Sequence, residues 1–187
     1  MKTLVIYAHP WDGSFNNFVK DKVSSLLEAN NKTVDIIDLN KDGFNPVLEQ
    51  ADLKEFQRGG FNDKLALSYV NKLKEADELV FIFPIWWYGE PAILKGFYDK
   101  VLLKGHVYEQ IDNKIQGTLK IDNATIITTA AIDKEFFESV GDPINNVLAN
   151  SILKTIGVKK SSWIHCETVH LEESRIKFLN KLDQHFN

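Results

Sequence analysis

The sequence predicts an α/β domain whose doubly wound, five-stranded parallel sheet has the strand order 2-1-3-4-5 and carries helices on both faces. Short apolar runs alternate along the chain with segments of helical periodicity, which indicates βαβ units with right-handed crossovers. Two of these runs, at residues 4–8 and 79–83, are continuously apolar, as is typical of strands covered on both faces. The length of 187 residues suits one domain with a five-stranded sheet of this order.

Each predicted element follows from its own pattern. Continuous apolar or β-branched runs predict five strands, at residues 4–8, 33–39, 79–83, 124–129 and 162–166. Apolar residues at three- and four-residue spacing predict five helices between and after them, over residues 15–27, 65–76, 91–101, 144–156 and 176–182.

Composition and charge narrow the possible partners. The net charge of −4 and the pI near 5.7 argue against a nucleic-acid ligand, since phosphate neutralisation needs a basic face. The only cysteine, Cys166, cannot form an intramolecular disulfide, which favours a reducing cytoplasm. The apolar run from Leu79 to Tyr88 is shorter than the roughly 20 residues of a membrane span, and no targeting segment is visible. We therefore expect a cytoplasmic protein that does not span a membrane.

In a sheet of this order, ligands bind at the carboxyl ends of the strands where the order reverses. The loops to consider are therefore 9–16, 84–90 and 128–133. In the first, Ser14 precedes a helix and is its predicted N-cap, so the amides of Phe15, Asn16 and Asn17 would point outward and attract phosphate. His9 could add a further donor, although Ser14 could also serve only as a cap.

The second loop contains three adjacent aromatic residues, Trp86, Trp87 and Tyr88, after Pro84 and Ile85. Consecutive loop residues point in different directions, so not all three rings can be core. They could form a flat wall for a planar heterocycle, with the amides of 86–88 bonding its polar edge. They could instead form a subunit interface. Both readings remain open at this stage.

The remaining candidates carry less information. The third loop continues from Thr128 and Thr129 into Ala130 and Ala131, whose small side chains would let the backbone approach a ligand. His165, Cys166 and His170 could suggest a metal site, but two of them are consecutive on a predicted strand and must face opposite sides. We therefore interpret them as a buried cysteine and partly exposed histidines.

With these loops in view, the chain resembles the DT-diaphorase or NAD(P)H:quinone oxidoreductase family of flavodoxin-like flavoenzymes. The resemblance spans roughly residues 3–157. It is carried by the segments Tyr7-Ala8-His9-Pro10, Ser14-Phe15-Asn16, Phe44-Asn45-Pro46, Phe81-Ile82-Phe83-Pro84-Ile85-Trp86-Trp87, Pro91-Ala92-Ile93-Leu94-Lys95-Gly96, Asp99-Lys100-Val101, Gly105-His106-Val107-Tyr108 and Ile127-Thr128-Thr129.

The resemblance implies a single flavin-binding domain over residues 1–187. The resemblance also implies that this flavin accepts hydride from NAD(P)H and passes it to a quinone or similar acceptor in a ping-pong order. The resemblance further implies a homodimer with the active site at the interface. The implied contacts are to the flavin phosphate from His9, Ser14, Phe15 and Asn16, to the isoalloxazine from Pro84, Ile85, Trp86, Trp87 and Tyr88, and to its pyrimidine edge from Thr128, Thr129, Ala130 and Ala131.

The chain departs from the family in two places. Relatives commonly have Thr-Thr-Gly-Gly where this chain has two alanines after the threonines, and the Tyr and His that follow in better-known members are absent. Lys134 is the only cation in that stretch that could take over their charge, so no catalytic residue is assigned. Relatives of this kind also include ancillary subunits of potassium efflux systems, and flavodoxin-like electron carriers are a further alternative. The short stretch after the fifth strand favours FMN over FAD. The choice between NADH and NADPH as the hydride donor stays open.

Overall fold

A computed structural model, which describes residues 1–187, has a five-stranded parallel sheet at its centre. Its strands are β1 (Lys2–Tyr7), β2 (Thr33–Asp38), β3 (Glu78–Pro84), β6 (Ile121–Thr129) and β7 (Val158–Cys166), in the order β2-β1-β3-β6-β7. An antiparallel hairpin of β4 (Tyr108–Ile111) and β5 (Lys114–Gly117) lies outside this sheet. The five predicted strands and their order are therefore confirmed, and the hairpin is an addition that the sequence did not reveal.

Helices cover both faces of the sheet, as predicted. They are α1 (Phe15–Ala29), α2 (Gln50–Gln57), α3 (Lys64–Glu75), α4 (Ala92–Val101), α5 (Lys134–Ser139), a π-helix (Ile144–Leu153) that continues into α6 (Lys154–Ile156), and α7 (Glu172–Phe186). None of them combines the length and apolar character that a membrane crossing requires.

The two faces form two separate apolar cores, because alternate strand residues point to opposite sides. On one side, Tyr7 and Ile82 pack with residues of α1 and α7 such as Val23 and Leu182. On the other side lie β-strand residues such as Ile6, packed with α3, α4 and the π-helix. The continuous apolar runs follow from this burial on both faces.

The segment between β2 and α3 packs very closely against α4. A Cβ atom added to Gly96 would lie 2.3 Å from the carbonyl oxygen of Pro46, so a glycine is needed where this segment meets the helix. Beside it, Lys100 is buried and pairs with Asp63 at 2.9 Å and with Asp52 at 3.6 Å. These contacts fix the residues that follow β2 against α4, next to the carboxyl edge of the sheet.

Candidate functional site

The three loops at the carboxyl edge of β1, β3 and β6 meet one another. The rings of His9 and Trp86 lie 6.0 Å apart, centroid to centroid, which joins the first loop to the second. The Ile85 amide donates to the Thr129 carbonyl at 2.9 Å, which joins the second to the third. The Asn16 side chain donates to Thr129 Oγ1 at 2.9 Å, which joins the first to the third. Parallel strands bring these loops together although more than 100 residues separate the first loop from the third.

Ser14 caps α1, as the sequence predicted. Its Oγ accepts a hydrogen bond from the Asn17 amide at 3.1 Å, and the Tyr7 hydroxyl lies 3.4 Å from the same oxygen. The prediction that the Asn17 amide is free for a ligand is therefore wrong, because the cap itself occupies that donor.

Two donors at the start of α1 remain without a partner, the amides of Phe15 and Asn16. Asn16 is 5% exposed, and its Oδ1 atom is buried with no hydrogen-bond partner. Buried polar groups are normally paired, so an orphaned acceptor beside two open amides indicates that a ligand completes this corner. The helix dipole adds positive potential there, and the corner therefore fits a phosphate with a neighbouring donor group.

His9 is held as a neutral donor beside this corner. Its Nδ1 accepts a hydrogen bond from the Trp11 amide at 3.1 Å, which assigns the ring proton to Nε2. Burial lowers the pKa of His9 from its ordinary value near 6.5. At neutral pH the residue can therefore offer an Nε2–H group without carrying charge.

The aromatic residues of the second loop form a tight, strained turn. Trp86 and Gly89 exchange backbone hydrogen bonds of 3.0 and 3.2 Å, and the two residues between them have φ angles of +50° at Trp87 and +68° at Tyr88. Positive φ costs energy for such side chains, and strain of this kind concentrates at functional sites. Trp87 is 94% exposed and Tyr88 is also exposed, so neither ring of this turn is needed in the core.

One expected contact of the second loop needs correction. The contacts expected of Pro84, which ends β3, and of the buried Ile85 stay predictions. The Trp86 amide is used inside the turn, which leaves only the amides of Trp87 and Tyr88 open.

The third loop also offers fewer hydrogen-bonding groups to a ligand than expected. The Ala130 amide donates to the Cys166 carbonyl at 3.0 Å and so continues the pairing of β6 with β7. Thr128 is fully buried on the face opposite Thr129, and its hydroxyl is engaged by Trp163 and His165. The Ala131 amide, in contrast, has no partner. We therefore withdraw the Thr128 hydroxyl and the Ala130 amide from the predicted cofactor contacts.

Lys134 does not point toward the loops as a free charge. Its ammonium lies 5.2 Å from the centroid of the Trp163 ring and 3.8 Å from Glu138. The residue of α5 that does reach the second loop is Phe136, whose ring stacks on Tyr88 at 5.7 Å. Phe136 was not among the predicted site residues, although an aromatic residue just after a ligand-binding loop was an available signal.

His165 is the other residue that the sequence analysis misplaced. It was interpreted as partly exposed, but it is only 7% exposed and lies behind the third loop. Cys166 faces the opposite core, as the alternation on a strand predicted.

A cavity of about 600 Å³ lies away from the three loops, around the lower parts of β3, β6 and β7, and is lined by residues such as Thr125, Lys160 and His185. The size of that cavity is no guide to function, because open amides and the orphaned acceptor are at the other end of the sheet.

Comparisons with known proteins identify the fold of the chain. A family described as having the flavodoxin-like fold matches residues 1–186. The chain is 27% identical to a Haemophilus influenzae protein named as an uncharacterized NAD(P)H oxidoreductase, over 95% of this chain and 89% of the relative. It is 28% identical to NAD(P)H dehydrogenase (quinone) 1 of Cavia porcellus over 75% of this chain, which spans 57% of that relative. The crystal structure of Smu.1420 from Streptococcus mutans superposes with a TM-score of 0.88 and 31% identity, over 100% of this chain and 98% of that one.

Proposed function

Because the chain belongs to the family with the flavodoxin-like fold, we propose that it is a flavin-dependent NAD(P)H oxidoreductase that reduces quinones or similar acceptors. Its relatives bear the names of NAD(P)H oxidoreductases and of a quinone dehydrogenase, which supports this reaction class. We further propose that residues 1–187 form one flavin-binding domain.

One observation carries the proposal: open phosphate-binding donors at the start of α1 lie in the same crevice as an exposed aromatic turn. The amides of Phe15 and Asn16 suit the phosphate, and the orphaned Oδ1 of Asn16 suits a hydroxyl of a sugar-like chain beside it. Trp86, Tyr88 and the stacked Phe136 offer apolar rings to a planar heterocycle.

When bound, the flavin would supply the site that accepts hydride from NAD(P)H and donates it to the acceptor. The residues of the chain bind and orient it. The Ala131 amide and the amides of Trp87 and Tyr88 can donate to polar edges of the ring, and Ile85 excludes water from below. The exposed aromatic turn leaves a single open face, so NAD(P)H and the acceptor would use it in turn, which is a ping-pong order.

The exposed aromatic residues also support a homodimer with the active site at its interface. Trp87 is 94% exposed and Trp86 and Tyr88 are each more than 40% exposed, which is unusual for a cluster of large apolar side chains. A second copy that covers this turn would close the open side of the crevice. Sedimentation equilibrium of the wild type and of Trp87→Ser tests this, and a monomeric wild type at micromolar concentration refutes it.

The decisive experiment is reconstitution with FMN. We keep FMN as the favoured flavin and test FAD in parallel, because both carry a phosphate group that the corner could bind. The protein is titrated with FMN or FAD, and NADH or NADPH oxidation is then followed with a quinone. We expect tight FMN binding and quinone-dependent turnover in separate half-reactions. A protein that binds neither flavin contradicts the proposal.

A further inference from the structure

A directed hydrogen-bond network lies behind the third loop. Thr128 Oγ1 receives the Trp163 Nε1–H group at 2.8 Å and lies 2.7 Å from His165 Nδ1. The other ring nitrogen, His165 Nε2, lies 3.2 Å from the carbonyl oxygen of Ile132. The network thus runs from β7 through β6 to a loop residue adjacent to the open amide of Ala131.

The donor and acceptor roles in this network follow from chemistry. An indole nitrogen can only donate, so Thr128 Oγ1 accepts from Trp163. The Ile132 carbonyl can only accept, so His165 Nε2 carries a proton and donates it. In the neutral ring Nδ1 is then an acceptor, and it receives the single hydroxyl proton of Thr128. Every polar atom of the network is satisfied only when the imidazole is neutral and in this tautomer.

The surroundings of His165 favour its neutral form. The imidazole is almost fully buried, and its ring meets Phe137 of α5 at 5.4 Å in an edge-on contact. Burial lowers the pKa of His165 from its ordinary value near 6.5, and the nearby Lys134 lowers it further. The Ile132 hydrogen bond and Glu167 act in the opposite direction without overcoming burial. Lys181 and His185 of α7 are the other titratable groups that line the groove on this side.

We propose that His165 is a positioning residue for the cofactor-binding loop: its neutral imidazole holds the Ile132 carbonyl and thereby aims the Ala131 amide into the crevice. This inference rests on the proposed function for the identity of the ligand, but the positioning itself is a property of the ligand-free protein. His165 thereby supplies rigidity to this loop from behind.

A pH dependence follows from the network. A proton on Nδ1 of His165 would leave the Thr128 hydroxyl without its acceptor and would disrupt the hydrogen-bond network. Flavin affinity should therefore be full above the pKa of His165 and should fall as the pH drops below it.

The first test uses the protein without flavin. Nitrogen-15 NMR of labelled histidine should show an unprotonated Nδ1 and a protonated Nε2 at pH 7. Amide hydrogen exchange should quicken about tenfold in His165→Leu at Ala130, whose amide donates to the Cys166 carbonyl, and at Val169, whose amide donates to the Ala130 carbonyl, since the loop that these bonds flank loses a buried hydrogen bond. In His165→Gln, whose amide can replace the bond to Ile132, it should stay within about threefold of the wild type. The matched control is His185→Gln. His185 lies 3.0 Å from the hydroxyl of Thr125, which is on β6 like Thr128 but is away from the loop.

The second test measures the FMN dissociation constant of the same variants from pH 5 to 8. We expect about tenfold weaker binding in His165→Leu, recovery in His165→Gln, and loss of the acid-side weakening in both. Unchanged exchange and affinity in His165→Leu would overturn the inference, as would a glutamine variant as defective as the leucine variant. A wild type that binds no flavin but shows the expected exchange pattern would refute the proposed function while leaving loop positioning intact.

Discussion

The side-chain amide of Asn16 donates to the hydroxyl of Thr129 across 2.9 Å, although 113 residues separate the two in sequence. This bond ties the start of α1 to the end of β6. It also fixes the orientation of the Asn16 side chain, so that Oδ1 is buried without a partner next to the open amides of the helix. A buried acceptor held in this way is prepared for a donor that the chain itself does not supply.

Replacement of Asn16 by Leu should weaken FMN binding about tenfold, because the acceptor is lost while the volume is kept. The free energy of unfolding without FMN should change by less than about 1 kcal/mol, since an unsatisfied polar atom is removed at the same time. Fluorescence titration and urea denaturation measure the two quantities. Asn17→Ala, one residue further along the same turn, is the control and should leave the FMN affinity unchanged.

Substitution of Ser14 separates capping from phosphate binding. Ser14→Ala should lower the free energy of unfolding by about 1 kcal/mol, because the Asn17 amide loses its acceptor. Ser14→Asp can still cap and should retain stability, but its carboxylate should repel the phosphate and weaken FMN binding at least about tenfold. Equal FMN affinity in the aspartate variant and the wild type would place the phosphate elsewhere.

The phosphate corner could be predicted from sequence because it depends on local signals. A strand, a capping serine and a helix stripe follow one another within 30 residues, and the parallel sheet brings the three loops together by topology alone. The sequence could not reveal which of several neighbouring backbone amides are bonded within the fold and which stay open. The Asn17 and Ala130 amides have partners in the cap and in β7, and only the folded chain shows which of the neighbouring amides stay open.

The burial of His165 and Lys100 escaped prediction for a different reason. Polar residues are normally exposed, and their burial requires partners that are distant in sequence. Those partners are Thr128 and Ile132 for the histidine, and Asp52 and Asp63 for the lysine. The β4–β5 hairpin was missed because its exposed residues lack the apolar run by which the five sheet strands were recognised.

The strained turn should show a trade-off between stability and activity. Both central residues of the turn have positive φ, a geometry that favours Asn-Gly. The double change Trp87→Asn and Tyr88→Gly should therefore raise the free energy of unfolding by about 1 kcal/mol and lower kcat/KM for the quinone. Trp87→Phe keeps both the ring and the strain, so neither quantity should change greatly. A double variant that is more stable and fully active would show that the strain has no catalytic role.

The buried lysine should matter much more than an exposed one on the same helix. Lys100→Met leaves Asp63 and Asp52 facing each other without a cation and should destabilise the protein by about 3 kcal/mol. Lys95→Met breaks an exposed pair with Asp99 and should cost less than about 1 kcal/mol. Urea denaturation at pH 7 measures both.

The same lysine predicts a pH effect of defined sign. Burial raises the pKa of Asp63, but the hydrogen bonds from Lys100 and from the amides of Ala66 and Leu65 outweigh it, and the net pKa lies below the ordinary value of 3.8. The stabilisation by this carboxylate is therefore complete above about pH 4 and is lost as the pH falls through the lowered pKa. The difference between wild type and Lys100→Met should shrink in acid, and a constant difference down to pH 2 would contradict this account.

The single thiol should be unreactive until the protein unfolds. Burial raises the pKa of Cys166 to about 11, and the nearby Arg175 offsets this only in part. Because the thiolate is the reactive species, only about one molecule in a thousand would be reactive at pH 8 even if reagent could enter. Iodoacetamide should therefore modify Cys166 very slowly in the native protein and rapidly in 8 M urea, as mass spectrometry can follow. FMN should slow the native reaction further by lowering the unfolded fraction. Fast alkylation of the folded protein would mean that β7 opens locally, and it would remove the rigid support that His165 requires.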